Sequence, residues 1–149
     1  MVAGRPAEAH QAFRKALELA PQRVATHLLE SLVFLEEGRD AEALAAAQLE
    51  PAPWARLAAL SVVHHAAGRT AESAEALREM EEKWSDDSAC LIAAVHAARK
   101  EPDAAFDWLE RAYLQRDPGL SSVLAEPMFR ALHDDARWLA FLGKMGLGE

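Results

Sequence analysis

The chain has 149 residues, about half of them apolar, and uses alanine heavily against only seven glycines and seven prolines, a balance that supports a real core and favours helix over strand. Its formal charge of −8 argues against a nucleic-acid partner, because phosphate backbones are held by Lys and Arg, and the single cysteine, Cys90, excludes an internal disulfide. No apolar run approaches the ~20 residues of a membrane span and "MVAGRPAEAH" lacks the basic start and apolar stretch of a signal peptide, so the expectation is a cytoplasmic protein with no membrane partner.

Along the chain one phrase recurs. "GRPAEA" stands at Gly4, "GRDAEA" at Gly38 and "GRTAES" at Gly68, and Lys100 in "RKEPDAAFDWLERAY" sits where a fourth glycine would fall. The anchors are 34, 30 and 32 residues apart, a period that signals stacked supersecondary units. Each anchor ends one helical pattern and begins another, and glycine there can take the left-handed conformation that closes a helix. Two residues on come Pro6, Asp40, Thr70 and Pro102. Asp and Thr suit a helix N-cap and Pro suits the first turn. Glu8, Glu42 and Glu72 follow, where a carboxylate favours the helix dipole.

The stretches before the anchors, "VATHLLESLVFLEE", "APWARLAALSVVHHAA" and "SACLIAAVHAAR", are apolar at helical spacing. Seven residues before each anchor stand Ser31, Ser61 and Ala93. Five after stand Ala9, Ala43, Ser73 and Ala105. Small residues facing each other let two antiparallel helices approach closely. Phe13, Ala47, Leu77 and Leu109 lie four further on, and Ala16, Glu50, Met80 and Ala112 three beyond those.

These phrases resemble the tetratricopeptide repeat, a pair of helices in about 34 residues whose second helix reads A-x3-F-x2-A before a proline. "AEAHQAFRKALELAP" carries Ala9, Phe13, Ala16 and Pro21 at those places. Phe34, His64 and His96 occupy the family's Tyr position. The second copy is four residues short, with Pro51 early and Glu50 in place of an alanine, and Lys100 replaces the fourth Gly. The resemblance covers roughly residues 4 to 117. The remainder, through "RDPGLSSVLAEPMFRALHDDARWLAFLGKMGL", resembles the closing segment of bacterial tetratricopeptide domains, with a looser match at Asp135-Ala136-Arg137-Trp138.

The resemblance implies an all-α fold: a right-handed α-solenoid of stacked antiparallel helix pairs with C-terminal capping helices. It implies a single domain over 1–149, divided into the second helix of a partial repeat (4–21), repeats at 24–50, 52–84 and 87–117, and a cap at 118–149. A last repeat has an apolar face with no neighbour, and Phe129, Leu132, Trp138, Leu139 and Leu142 are expected to cover it. At the other end Val2 and Ala3 cannot cover Phe13, Leu17 and Leu19. The expectation there is either a longer parent chain or a second subunit.

No catalytic or metal-binding pattern accompanies the repeats. His64 and His65 are adjacent and point about 100° apart on a helix. His64 and His96 take equivalent places in successive repeats, but no Cys or carboxylate stands beside them at ligand spacing, and zinc sites want three or four ligands. Packed, hydrogen-bonded histidines are expected instead. Cys90 and His96 do not share a helical face, and a core cysteine is the simpler reading. P-loop, dinucleotide and G-x-S-x-G phrases are absent. The acidic stretch "ESAEALREMEEKWSDD" reads as a solvated face, with Glu75 and Glu79 paired to Arg78 and Lys83. Among the tryptophans, Trp108 and Trp138 are expected in the core.

The resemblance places a concave groove along the first helices of the repeats: Leu28, Leu32 and Leu35, then Ala58, Val62 and His65, then Cys90, Ala94 and Ala97. Those places lack the Lys, Arg and Asn of the family's carboxylate clamp, so capture of a partner's C-terminal carboxylate is not expected: an apolar wall would leave it unpaired. An apolar groove suits an amphipathic helix, the chain's own terminal segment, or a second copy of the chain; the alternative is that the narrow, alanine-lined trough is packed shut. The expected function is therefore a non-enzymatic protein-interaction module of a bacterial regulatory protein, taking a protein or peptide partner and needing no cofactor or metal. Self-assembly into a homo-oligomer is the alternative.

Overall fold

A computed structural model describes residues 6–19, 26–123 and 126–146. The Gly4 anchor, Val2, Ala3 and the Pro21 stop lie outside the described residues. Those residues form eight α-helices and two short 3-10 helices, and no strand occurs among them. The helices are α1 (Pro6–Leu19), α2 (Thr26–Glu36), α3 (Asp40–Leu49), α4 (Pro53–Ala66), α5 (Thr70–Trp84), α6 (Ala89–Ala98), α7 (Pro102–Gln115) and α8 (Ala136–Lys144). The 3-10 helices, Pro118–Ser122 and Pro127–Leu132, stand between α7 and α8. None of the helices is long and apolar enough to cross a membrane. The chain divides into two compact units, Met1–Ser85 and Asp86–Glu149.

One turn recurs at three of the anchors. Gly38 and Gly68 have φ of +74° and +81°, and Lys100 has φ of +65°. The N–H of the following residue bonds back to the carbonyl of the Tyr-position residue: Arg39 to Phe34 at 2.9 Å, Arg69 to His64 at 2.8 Å, Glu101 to His96 at 3.0 Å. The anchor N–H itself bonds to Leu35, His65 or Ala97, each at 3.1 Å. This pair of bonds satisfies carbonyls that a helix end would otherwise orphan. Arg39, Arg69 and Glu101 then offer their own carbonyls to Ala43, Ser73 and Ala105 at 3.0 Å. The same residue thus closes one helix and opens the next. That economy corrects the expected caps: Asp40 and Thr70 are the first residues inside α3 and α5, and no side chain caps either helix.

In the first unit α2 packs on α3, α4 on both α2 and α3, α5 on α4, and α1 on α2. The small residues lie at the crossing points. Ser31, Ala43, Ser61 and Ser73 are fully buried. Ser61 Oγ donates to the Ser73 carbonyl at 3.0 Å and Ser73 Oγ to the Ser61 carbonyl at 2.7 Å. The next core layer is Ala47, Glu50, Leu77 and Met80, all buried. On α1, His10 stacks on Phe34 with centroids 4.3 Å apart and meets Glu37 at 2.5 Å.

The second unit is built around α6. Eight of its ten residues, Ala89, Cys90 and Ile92 to Ala97, are buried, as expected of a helix that is apolar all round. It packs against α7 and both 3-10 helices, with Ala93 and Ala105 again fully buried. Asp117 begins the first 3-10 helix and accepts the N–H of Gly119 at 2.7 Å and of Cys90 at 3.1 Å. A Cβ on Gly119 would stand 3.1 Å from the Cys90 Cβ, so the glycine admits this close approach. α8 runs alongside α7 in the same direction: Arg137 pairs with Asp103 at 2.9 Å and Lys144 with Glu110 at 2.5 Å. Phe129, Leu132, Trp138 and Leu142 are buried, but Leu139 is 64% exposed and Phe141 is buried in its place, its ring edge-on to Tyr113. Leu139 lies about 100° round the helix from Trp138 and faces out.

Candidate functional site

Most of the residues assigned to the concave groove are buried. In the first unit Leu28, Leu32, Ala58 and Val62 are each less than a tenth exposed, while Leu35 and His65 are half-buried. In the second unit Cys90, Ala94 and Ala97 are buried, and the Cys90 end of α6 is covered by the D-P-G-L turn. A partner would therefore reach little of this set directly. Burial also pushes the Cys90 thiol up to about 12, reinforced by Asp117 and Glu126. The thiol stays protonated at neutral pH, which suits a core side chain and not a nucleophile.

The histidines at the Tyr position are held locally. His96 Nδ1 lies 2.8 Å from Glu101 Oε1, and Arg69 Nε donates to His64 Nδ1 at 2.9 Å. Burial, then the Arg69 guanidinium, holds the His64 pKa below its usual value. In the second repeat the corresponding pair is Arg39 over the Phe34 ring, 4.7 Å from its centroid. In all three cases the side chain at the Tyr position meets the residue just past the turn. Among the described residues no group of three His, Cys, Asp or Glu side chains could hold a metal ion.

One accessible concavity of the first unit is an open trough of about 410 Å³ between α4 and α5. Its walls are Leu57, Leu60 and His64 from α4, and Ala71, Glu72, Glu75, Ala76 and Glu79 from α5. The spacing explains the grouping. Leu57, Leu60 and His64 recur at three and four residues and so share one face of α4. Glu72, Glu75 and Glu79 do the same on α5. Leu57 and Leu60 are half-buried where Ala58 and Val62, on the other side of the helix, are buried. The result is an apolar floor with an acidic rim. Arg78 pairs with Glu75 and with Glu82, at 2.6 Å to the latter, and Lys83 with Glu79 at 3.1 Å. Among the described residues Glu72 carries no ion pair.

This surface was not picked out from the sequence, although the Leu57-Leu60-His64 spacing is visible there. The same pattern is shared by core-facing positions, so spacing alone does not separate the two faces of α4. No family model, curated protein or solved structure matches the chain. The reading of its role therefore rests on the residues themselves.

Proposed function

We propose that the chain is a non-catalytic interaction module of tetratricopeptide type, a right-handed α-solenoid whose repeats are closed by a capping segment, serving in a bacterial regulatory protein of the cytoplasm. The observation that carries this reading is the recurrence of one turn at Gly38, Gly68 and Lys100, each between helices held together by a buried small-residue contact. Stacked units of that kind present extended surfaces and recognise partners by shape.

Within the first unit the α4–α5 trough is the surface that fits a partner. Its floor of Leu57, Leu60, Ala71 and Ala76 suits the leucine-type face of an amphipathic helix. The test is titration with a roughly 18-residue helical peptide, five turns long, carrying leucines on one face and glutamines on the other. Saturable binding that is lost in a Leu60→Asp chain with unchanged helical circular dichroism supports the module. Absence of binding to the unaltered chain contradicts it. Self-assembly is the second reading, favoured by Leu114 and Leu139, two strongly exposed leucines of the second unit. Sedimentation as a monomer at high concentration removes it.

A further inference from the structure

We infer that the α4–α5 trough takes a cationic amphipathic helix of another protein, with leucine-type side chains on its floor and Lys or Arg side chains against Glu72, Glu75 and Glu79. This rests on the interaction-module reading above and adds the partner's charge to it.

The floor is apolar, so the ligand must bring apolar side chains. The trough is open to solvent, which suits a partner's surface and not an enclosed small molecule. One wall is α5, whose sequence TAESAEALREMEEKW holds five glutamates against one arginine and one lysine. Three of those glutamates, at positions 72, 75 and 79, stand on the rim itself. Arg78 and Lys83 answer part of that charge, but both are exposed pairs of the kind that solvent screens strongly, and an incoming cation can exchange with them. Glu72 makes no ion pair among the described residues and acts only on the neighbouring His64. On the opposite wall burial and the neighbouring Arg69 guanidinium hold the His64 pKa below its usual value, so this side chain adds little positive charge at the floor. An anionic ligand would meet like charges along one side, while an uncharged one would gain nothing from the rim. A bare divalent cation does not fit, since no metal-ligating group of three forms among the described residues.

The experiment uses the full chain and three peptides with identical leucine faces and Lys, Gln or Glu on the other face, titrated at low salt. The Lys peptide is expected to bind about tenfold tighter than the Gln peptide and the Glu peptide more weakly than both, from a few exposed charge contacts of modest individual strength. Raising the salt to a level where the screening length is a few Å should collapse the Lys preference to about twofold. The rim variant Glu72→Gln/Glu75→Gln/Glu79→Gln should bind the Lys and Gln peptides with equal affinity. A control of equal charge change in the second unit, Asp86→Asn/Asp107→Asn/Glu110→Gln, should retain the Lys preference. If the Gln peptide binds as tightly as the Lys peptide, the cationic partner is wrong and the module stands. If the control variant loses the preference as fully as the rim variant, attraction is diffuse and the assignment to this trough fails. If no peptide binds, both readings fall.

Discussion

The carboxylate of Glu50, at the end of α3, accepts the backbone N–H of Leu28 in the first turn of α2 at 3.1 Å. Its second oxygen accepts the N–H of Ala52 at 3.3 Å, and the residue is fully buried. The side chain therefore caps a helix 22 residues earlier in the chain and the turn that follows it. Asp117 does the same in the second unit, linking Gly119 to the start of α6. Both acids precede a proline, in "EPA" and "DPG". A carboxylate before Pro, reaching back to the first helix of its own hairpin, is a lock used once in each unit.

Glu50→Ala, the residue that the repeat resemblance would favour at this place, should destabilise the chain by about 2–4 kcal/mol, because two buried donors lose their acceptor. Glu50→Gln keeps one acceptor oxygen and should cost about half as much. Urea unfolding of the three proteins measures this. A Glu50→Ala chain at least as stable as the original would show that the alanine of the repeat pattern is the better fit and that the lock is not one.

Lys100 and Arg116 hold left-handed backbone with φ of 65° and 56°. That conformation costs a residue with a Cβ about 1–2 kcal/mol, part of which glycine gives back through its freer unfolded chain. Lys100→Gly should therefore raise stability by about 0.5–1 kcal/mol. Gly38→Ala should lower it by about 1 kcal/mol, although the space beside Gly38 is empty. Thermal unfolding of both variants checks the pair of opposite signs.

Much of this fold is legible in the sequence because the helix pairs repeat. The glycine period located the turns at 38, 68 and 100, and the small residues Ser31, Ser61, Ala93, Ala43, Ser73 and Ala105 lie in the buried contacts that close packing requires. Glu50 was visible only as a departure from pattern, since its partner Leu28 is remote in sequence and is brought near by the hairpin. Leu139 departs from the expected cap: Leu139 and Leu142 fall at helical spacing, whereas the packed stripe is Trp138, Phe141 and Leu142. The concave-groove positions were carried over by register, and register gives no account of how far a narrow, alanine-lined face closes on itself. Leu32 and Val62 are buried deeply enough that an aspartate at either place would test folding before binding.

His64 gives a pH dependence of known sign. Its folded pKa lies below the unfolded value of about 6.5, so between those values the unfolded chain binds the proton and the folded chain does not. Stability from this group is full above about pH 6.5 and declines as the pH falls toward the folded pKa. His64→Phe places a ring where the second repeat already has Phe34 beneath Arg39. The variant should fold and should lose this part of the slope between about pH 7 and 5. Urea midpoints measured across that range decide it, and an unchanged slope would exonerate His64.

Ser61 and Ser73 exchange side-chain hydrogen bonds across the α4–α5 contact. Ser61→Ala should cost about 1 kcal/mol, the net worth of one such bond. Ser61→Leu should cost about 3 kcal/mol or more by forcing the two helices apart, and should weaken peptide binding through the altered trough. Circular dichroism melts together with the titration separate the two substitutions.

Backbone amide shift mapping during titration with the leucine–glutamine peptide asks most directly whether the chain takes a partner on the α4–α5 trough. Saturable shifts gathered on residues 57–64 of α4 and 71–79 of α5, with the rest of the first unit little changed, are the expected result. Shifts gathered instead around Cys90, or none that saturate, would contradict it.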